Sequence, residues 1–273
     1  MRNSLRSVVV TGLAVMTAVL ALPGTASAAT TTTVGFDVSY PQCGTTLPSA
    51  HAFGIVGVNG GLSTKANPCM SQQLTWAWHS SGAVAAQPKA QLYLNTANPG
   101  EYISQVSTWP KTSGTTPYGT CNGTNSMSCS WEYGRERAQN SVVSFFTPAA
   151  QAAKVDSQPG HYTWWLDVET DNTWQSGSTS AQARNRATLE GMTAYLTSRG
   201  ATVGLYSPHT QWSQIVGSVG TTSNLAGRKS WLPGATSLSG ATTNCKQAPL
   251  TPGGKVTLAQ YVPKNSFDSD KSC

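Results

Sequence analysis

From Val34 to the end of the chain, short apolar runs alternate with helix-like stretches. The runs at 34–40, 53–59, 90–96, 162–170, 202–207, 228–232 and 256–262 predict seven strands. Between them, 69–81, 131–154, 180–199 and 209–217 predict helices, and Gly200 stands where a C-terminal glycine cap belongs. Alternation of this kind predicts an α/β chain with parallel strands, here a single irregular β/α barrel of the TIM type. Two stretches break the rhythm. Residues 109–129 and 234–254 are rich in Thr, Ser, Gly, Asn and Pro, and both read as loops. No internal repeat and no linker divides the chain.

The first 28 residues differ in kind. Arg2 and Arg6 precede an apolar run at 8–22, Pro23 and Gly24 break it, and Ala26-Ser27-Ala28 has the small-x-small pattern of a cleavage site. The run falls short of the about 20 apolar residues a membrane span needs. Residues 1–28 therefore read as a cleavable export signal and 29–273 as one domain. Ala29, not cysteine, follows the cleavage point, which excludes a lipid anchor there. The expected mature form is secreted, extracellular, monomeric and free of the membrane. Cys43, Cys69, Cys121, Cys129, Cys245 and Cys273 all follow the signal. An even count in an exported chain predicts three disulfides. Of the fifteen possible pairings, 43–69, 121–129 and 245–273 is the simplest.

Composition narrows the partners. The net charge is +6 over the whole chain; removing Arg2 and Arg6 leaves +4, without the Lys/Arg clusters that mark nucleic-acid binding. Nine Trp and nine Tyr against five Phe favour rings with a polar handle, which suit sugar faces as well as ordinary packing. No CxxC pair or HExxH motif is present, so neither a zinc site nor any other metal or cofactor is expected. His51, His79, His161 and His209 are scattered without a GxSxG motif and read as surface or helix-end residues. Gly253-Gly254-Lys255 lacks the upstream glycine of a phosphate loop, and Asn122-Gly123-Thr124 fits a glycosylation acceptor. The stretch 131–153 reads as a barrel-covering helix, with Tyr133, Arg137 and Val142 among apolar neighbours and Arg135 and Glu136 solvated.

Carboxylates are few, and several lie at predicted strand ends. Asp37 sits in Gly35-Phe36-Asp37-Val38-Ser39; Asp268 and Asp270 follow the last predicted strand. In the run at 162–170, strand alternation puts Trp165, Asp167 and Glu169 on one face and Trp164, Leu166 and Val168 on the other. The apolar face packs under helices, so the acids and one tryptophan face inward. Two carboxyls this close raise each other's pKa, which suits general acid chemistry on a glycosidic oxygen. A D-x-E pair bonded to backbone amides or to Arg serves a structural role equally well.

The segments GFDVSYPQ, WLDVET, GLYS and AQYV…FDSD, in that order, resemble glycoside hydrolase family 25. These are the N-acetylmuramidase-type lysozymes, and the resemblance, or that of a divergent secreted bacterial relative, spans 29–273. It implies an irregular eight-stranded α/β barrel with acids at its C-terminal mouth. It implies Glu169 as general acid, and Asp167 tuning Glu169 and holding the substrate's N-acetyl group. Asp37 and Asp268 would complete an acidic ring that stabilises positive charge at the reacting carbon. Tyr93, Tyr206, Trp231 and Tyr261 would line the cleft. The implied function is hydrolysis of a cell-wall polysaccharide, peptidoglycan after N-acetylmuramic acid. The alternatives are a non-catalytic glycan-binding protein on the same barrel and a hydrolase of another polysaccharide. Three departures stand out. The second strand ends in Asn59-Gly60-Gly61 where the family places a basic and an acidic residue. Leu92-Tyr93-Leu94-Asn95-Thr96 replaces its aromatic-His element, and the loop at 109–129 has no counterpart.

Overall fold

A computed structural model describes residues 32–264 and 266–273. The expected export signal lies outside the described residues. The seven predicted runs form strands β1 (Val34–Val38), β2 (Gly54–Gly57), β3 (Ala90–Asn95), β6 (Thr163–Asp167), β7 (Thr202–Tyr206), β8 (Lys229–Ala235) and β9 (Lys255–Tyr261). Between β3 and β6 the loop at 109–129 carries a short hairpin, β4 (Thr115–Thr116) with β5 (Gly119–Thr120). An eighth barrel strand, β10 (Ser269–Ser272), closes the circle in the order β1-β10-β9-β8-β7-β6-β3-β2. It runs antiparallel to both neighbours, and every other barrel pair is parallel. The sequence reading stopped one strand short because Ser-Asp-Lys-Ser offers no apolar alternation.

The helices are α1 (Met70–Trp78), α2 (Met127–Asn140), α3 (Thr147–Ala153), α4 (Thr179–Ser198), α5 (His209–Ile215) and α6 (Leu238–Asn244). Helix α6 corrects the loop expected at 234–254. It starts because Ser237 is extended and its side chain accepts from Gly240 N. The helix expected at 131–154 begins earlier, capped by Ser126. It widens into a π-helical turn over Ser141–Phe146 before α3. Pro148, in the first turn of α3, has no N–H to return to the preceding turn, and a widened turn removes that demand. Helices α2 and α4 cross at two glycines: a Cβ on Gly134 or Gly191 would fall 1.9 Å from a carbonyl oxygen of the other helix.

The alternation on β6 sorts the core. Trp164, Leu166 and Val168 join the apolar layer between barrel and helices, while Trp165 joins Phe53, Ile55, Tyr206, Trp231 and Leu258 inside the barrel. Trp165 is fully buried and its indole N–H donates to Gln91 Oε1 at 2.9 Å. Replacing such a side chain with alanine costs about 3–5 kcal/mol. Its neighbour on β7 is Gly204, where a Cβ would sit 2.3 Å from the ring, so β7 yields the space the indole fills.

The disulfides pair in sequence order, Cys43–Cys69, Cys121–Cys129 and Cys245–Cys273, as expected. Two further expectations need correction. His51 is buried, 4% exposed, because it stacks on Trp76 at 4.4 Å and contacts that residue's carbonyl at 3.2 Å. Arg135 is only partly solvated: it is a third exposed, and its guanidinium forks onto the buried Glu132 at 2.6 Å, one helical turn away. His79, His161 and His209 do lie at helix ends.

Candidate active site

Strand register assembles the site. Asn95, Asp167, Tyr206 and Trp231 are successive Cα partners across β3, β6, β7 and β8; they form one row that lies at the C-terminal ends of β3, β6 and β7 and in the first half of β8. Asp37 stands near the end of β1, and its backbone N–H donates to the carbonyl of Asp268, just before β10, at 3.2 Å. Glu169 is not on the strand: β6 ends at Asp167, and two more residues of extended chain carry Glu169 onto the same side.

Asp37, Asp167, Glu169 and Asp268 surround a cleft of about 270 Å³, joined to a narrower chamber of about 120 Å³. Tyr93, Tyr206, Trp231 and Gln260 wall the chamber. Trp231 meets Tyr206 edge to face at 4.5 Å and Tyr93 at 6.4 Å, a packed aromatic wall with one open side. The outer cleft is polar, with Ser39, Tyr40, Asn95 and Asn172 at its rim.

The acids crowd one another without a cation. Burial raises Asp37 to about 7, and the charge of Asp268 adds to the rise. Asp167 lies well above the carboxylate range through burial first, then the charge and hydrogen bond of Glu169. Glu169 is raised by burial and by Asp171 and Asp268, but the bond from Asp167 lowers it. Asp167 is the deeper member of the pair, and half-buried Glu169 faces the cleft. Burial raises Asp268 as well.

Seven of the eight expected site residues converge here. The eighth, Tyr261, does not. Its neighbour Gln260 points into the barrel, so alternation turns Tyr261 outward against Ala241 of α6. Gln260 was missed, although it ties the site together. Its Nε2 donates to Asp37 Oδ2 at 2.9 Å, and its Oε1 accepts from the Tyr206 hydroxyl at 2.8 Å. Asp270 was also left out; it lies on β10, fully buried. Only the phase of β9 could have separated Gln260 from Tyr261, and the β8–β9 register shifts hide that phase. Among the described residues no group of three or more His, Cys, Asp or Glu has a metal-holding arrangement.

Comparison with known proteins bears on this geometry. A family model described as lysozyme-like protein 1 matches residues 137–227, a third of the chain that includes Asp167, Glu169 and Tyr206. No curated protein matches the sequence. A muramidase from Trichobolus zukalii aligns with 18% identity and a TM-score of 0.50, covering 89% of this chain and 94% of its own. A bacterial lysozyme from Streptomyces coelicolor aligns with 14% identity and a TM-score of 0.51, covering 89% and 93%. The fold is the one these two proteins share. Their barrel is what the resemblance in the sequence implied. Among the described residues no helix is long and apolar enough to cross a membrane.

Proposed function

We propose that this protein is a secreted glycosidase that cleaves a cell-wall polysaccharide, peptidoglycan after N-acetylmuramic acid, by acid catalysis from its carboxylate cluster. One observation carries the proposal. Four acids from distant parts of the chain converge on one cleft, and burial and neighbouring charge raise the pKa of the adjacent pair Asp167 and Glu169. The match to a lysozyme-like family model and the fold shared with a muramidase and a bacterial lysozyme support a cell-wall glycan as the substrate class.

In this reading the Asp167–Glu169 pair carries one proton; it passes to Glu169, the member facing the leaving oxygen, and from there to the glycosidic oxygen as the C–O bond breaks. Asp167, now ionised, accepts a hydrogen bond from the substrate's acetamido N–H. The acetamido oxygen closes on the anomeric carbon and stabilises it. Water then attacks that carbon, and Glu169 takes the water's proton, restoring the resting state. Asp37 and Asp268 face the developing positive charge, and a cation nearby favours their ionised forms. Tyr93, Tyr206 and Trp231 supply a ring surface for the sugar.

Glu169→Gln tests the assignment. The amide is nearly isosteric but carries no transferable proton, so turnover of cell-wall glycan should fall by about 10²–10⁴-fold. Glycan binding and the circular dichroism melt should stay close to wild type. Asp167→Asn should also slow turnover, and combining the two should cost less than the sum. Hydrolysis is read as reducing ends, with product masses giving the bond. Wild-type turnover in Glu169→Gln would remove the acid from Glu169. A wild type that binds glycan but cleaves none would make this a binding protein. For the exported material, amino-terminal sequencing should start at Ala29; a start at Met1 outside the cell would sink the signal assignment.

A further inference from the structure

Asp270 is a second carboxyl behind Asp37 for which the reaction scheme gives no task. It is 0% exposed, on a strand whose flanking register partners are Gly35 of β1 and Gln260 of β9. Neither of its carboxyl oxygens meets an N–H or hydroxyl donor in good geometry. The groups around it are Asp37 from β1, Trp231 from β8, Tyr206 from β7 and Asp268 from the preceding loop, with Tyr261 of β9 turned to the other face of the sheet. The indole nitrogen of Trp231 turns toward it but makes no bond of good geometry. The ion pairs among the described residues, Arg135–Glu132 and His161–Asp156, lie elsewhere, so no Lys, Arg or His balances this carboxyl.

An ionised carboxylate in such a place would be buried without counter-charge beside another acid, and a group so placed takes up a proton instead. A protonated carboxyl then has one O–H to donate; Asp270 is the cross-strand partner of Gln260, Gln260 is bonded to Asp37, and this placement makes Asp37 the neighbouring acceptor. Asp37 already receives Gln260 Nε2 on Oδ2. We infer that Asp270 remains a neutral carboxylic acid in the folded protein and donates its proton to Asp37, as a positioning residue for that carboxylate. Gln260 and Asp270 would then hold Asp37 from the barrel side and leave its open edge to the cleft. The proton on Asp270 follows from its burial without donor or counter-charge; its value to catalysis rests on the glycosidase proposal.

Two variants separate this from the other roles Asp270 could play. Asp270→Asn keeps a donor at that place and is never charged. It should hydrolyse glycan within about 3-fold of wild type, with the acidic limb of the pH–rate profile unmoved. Asp270→Ala removes the donor. It should lose about 10–100-fold in kcat with KM nearly constant, the effect of losing one hydrogen bond to a charged group. Its acidic limb should move to higher pH, because Asp37 has lost a bond that favoured its ionised form. An ionised Asp270 predicts the opposite. Removing a negative charge would move the limb to lower pH in both variants, and that result overturns the inference. A melt lowered in Asp270→Ala with limb and kcat unchanged would leave a packing role alone and also overturn it. Infrared difference spectra of wild type against Asp270→Asn at pH 7 give a readout without substrate. A protonated-carboxyl band lost in the variant supports the inference, and loss of an ionised-carboxylate pair refutes it. If the wild type cleaves no glycan, the glycosidase proposal falls while the infrared comparison still decides where the proton is.

Discussion

Cutting the Cys245–Cys273 bridge should destabilise the protein and loosen the active site first. The bridge closes a 28-residue loop, from the end of α6 to the residue just beyond β10. Loop-closure entropy for that length stabilises the fold by about 3.5 kcal/mol. At about 2–4 °C per kcal/mol for a domain of this size, Cys245→Ala/Cys273→Ala should melt about 7–14 °C below wild type. The local effect should be larger than the global one. Strand β10 is four residues long, its end is held by the bond from Cys273 N to Thr257 O at 3.0 Å, and Asp268 lies immediately before it. Without the bridge β10 frays more easily, and Asp268 and Asp270 leave their places before the barrel melts. The assay pairs a circular dichroism melt with glycan hydrolysis measured at each temperature, without reductant. Activity should fall several degrees below the spectroscopic transition in the variant and together with it in the wild type. A variant melting within 2 °C of wild type would refute the entropic argument. Activity and structure melting together in the variant would refute the local one.

Stability should also depend on pH in the unusual direction. Asp37 goes from an ordinary 3.8 in the unfolded chain to about 7 in the fold, so the folded state keeps its proton where the unfolded state has lost it. That contribution is full below pH about 4 and is lost as pH rises through about 7. The melting temperature should therefore be higher at pH 5 than at pH 8, and Asp37→Asn should flatten the difference; a melt rising toward pH 8 would contradict the burial of these acids. Gly204→Ala places a methyl 2.3 Å from the Trp165 ring, which its bond to Gln91 holds in place. It should cost about 1–3 kcal/mol by denaturant titration, and an unchanged midpoint would mean that β7 moves aside freely.

Much of this molecule was legible because two periodicities were strong. The inward row on β6 follows from alternation alone, and the structure puts Trp165 and Asp167 inside the barrel and Trp164 and Leu166 outside. Six cysteines constrained the loops, and the simplest pairing is the one formed. What escaped has a common physical cause. Strand β10, Gln260 and Asp270 are polar groups inside a barrel, and Gln260 is held by a hydrogen bond to Asp37, 223 residues away. Apolar periodicity carries no trace of such pairs. Tyr261 went wrong for the converse reason: an aromatic beside a predicted cleft reads like a wall, and only the strand's phase shows that it faces α6.

The neutral end of the second strand shows how one departure in sequence shapes the chemistry. Where the resembling family places a basic and an acidic residue, this chain has Asn59, Gly60 and Gly61. Asn59 is buried, and its amide accepts from Asn95 N at 3.0 Å and donates to Ser63 O at 3.2 Å. It fixes the end of β3 beside the cleft, a structural task that an ionised side chain in the same buried place would perform at a desolvation cost. The electrostatic consequence reaches the acids. With no Lys, Arg or His lining the cleft, nothing offsets Asp37, Asp167, Glu169 and Asp268, and the pKa of each is raised. A cleft built this way favours the protonated forms of its acids, and its charge is best neutralised by a positive centre arriving from outside. On the glycosidase proposal that centre is the reacting carbon as its bond breaks, so the missing counter-charge favours the transition state over the empty site.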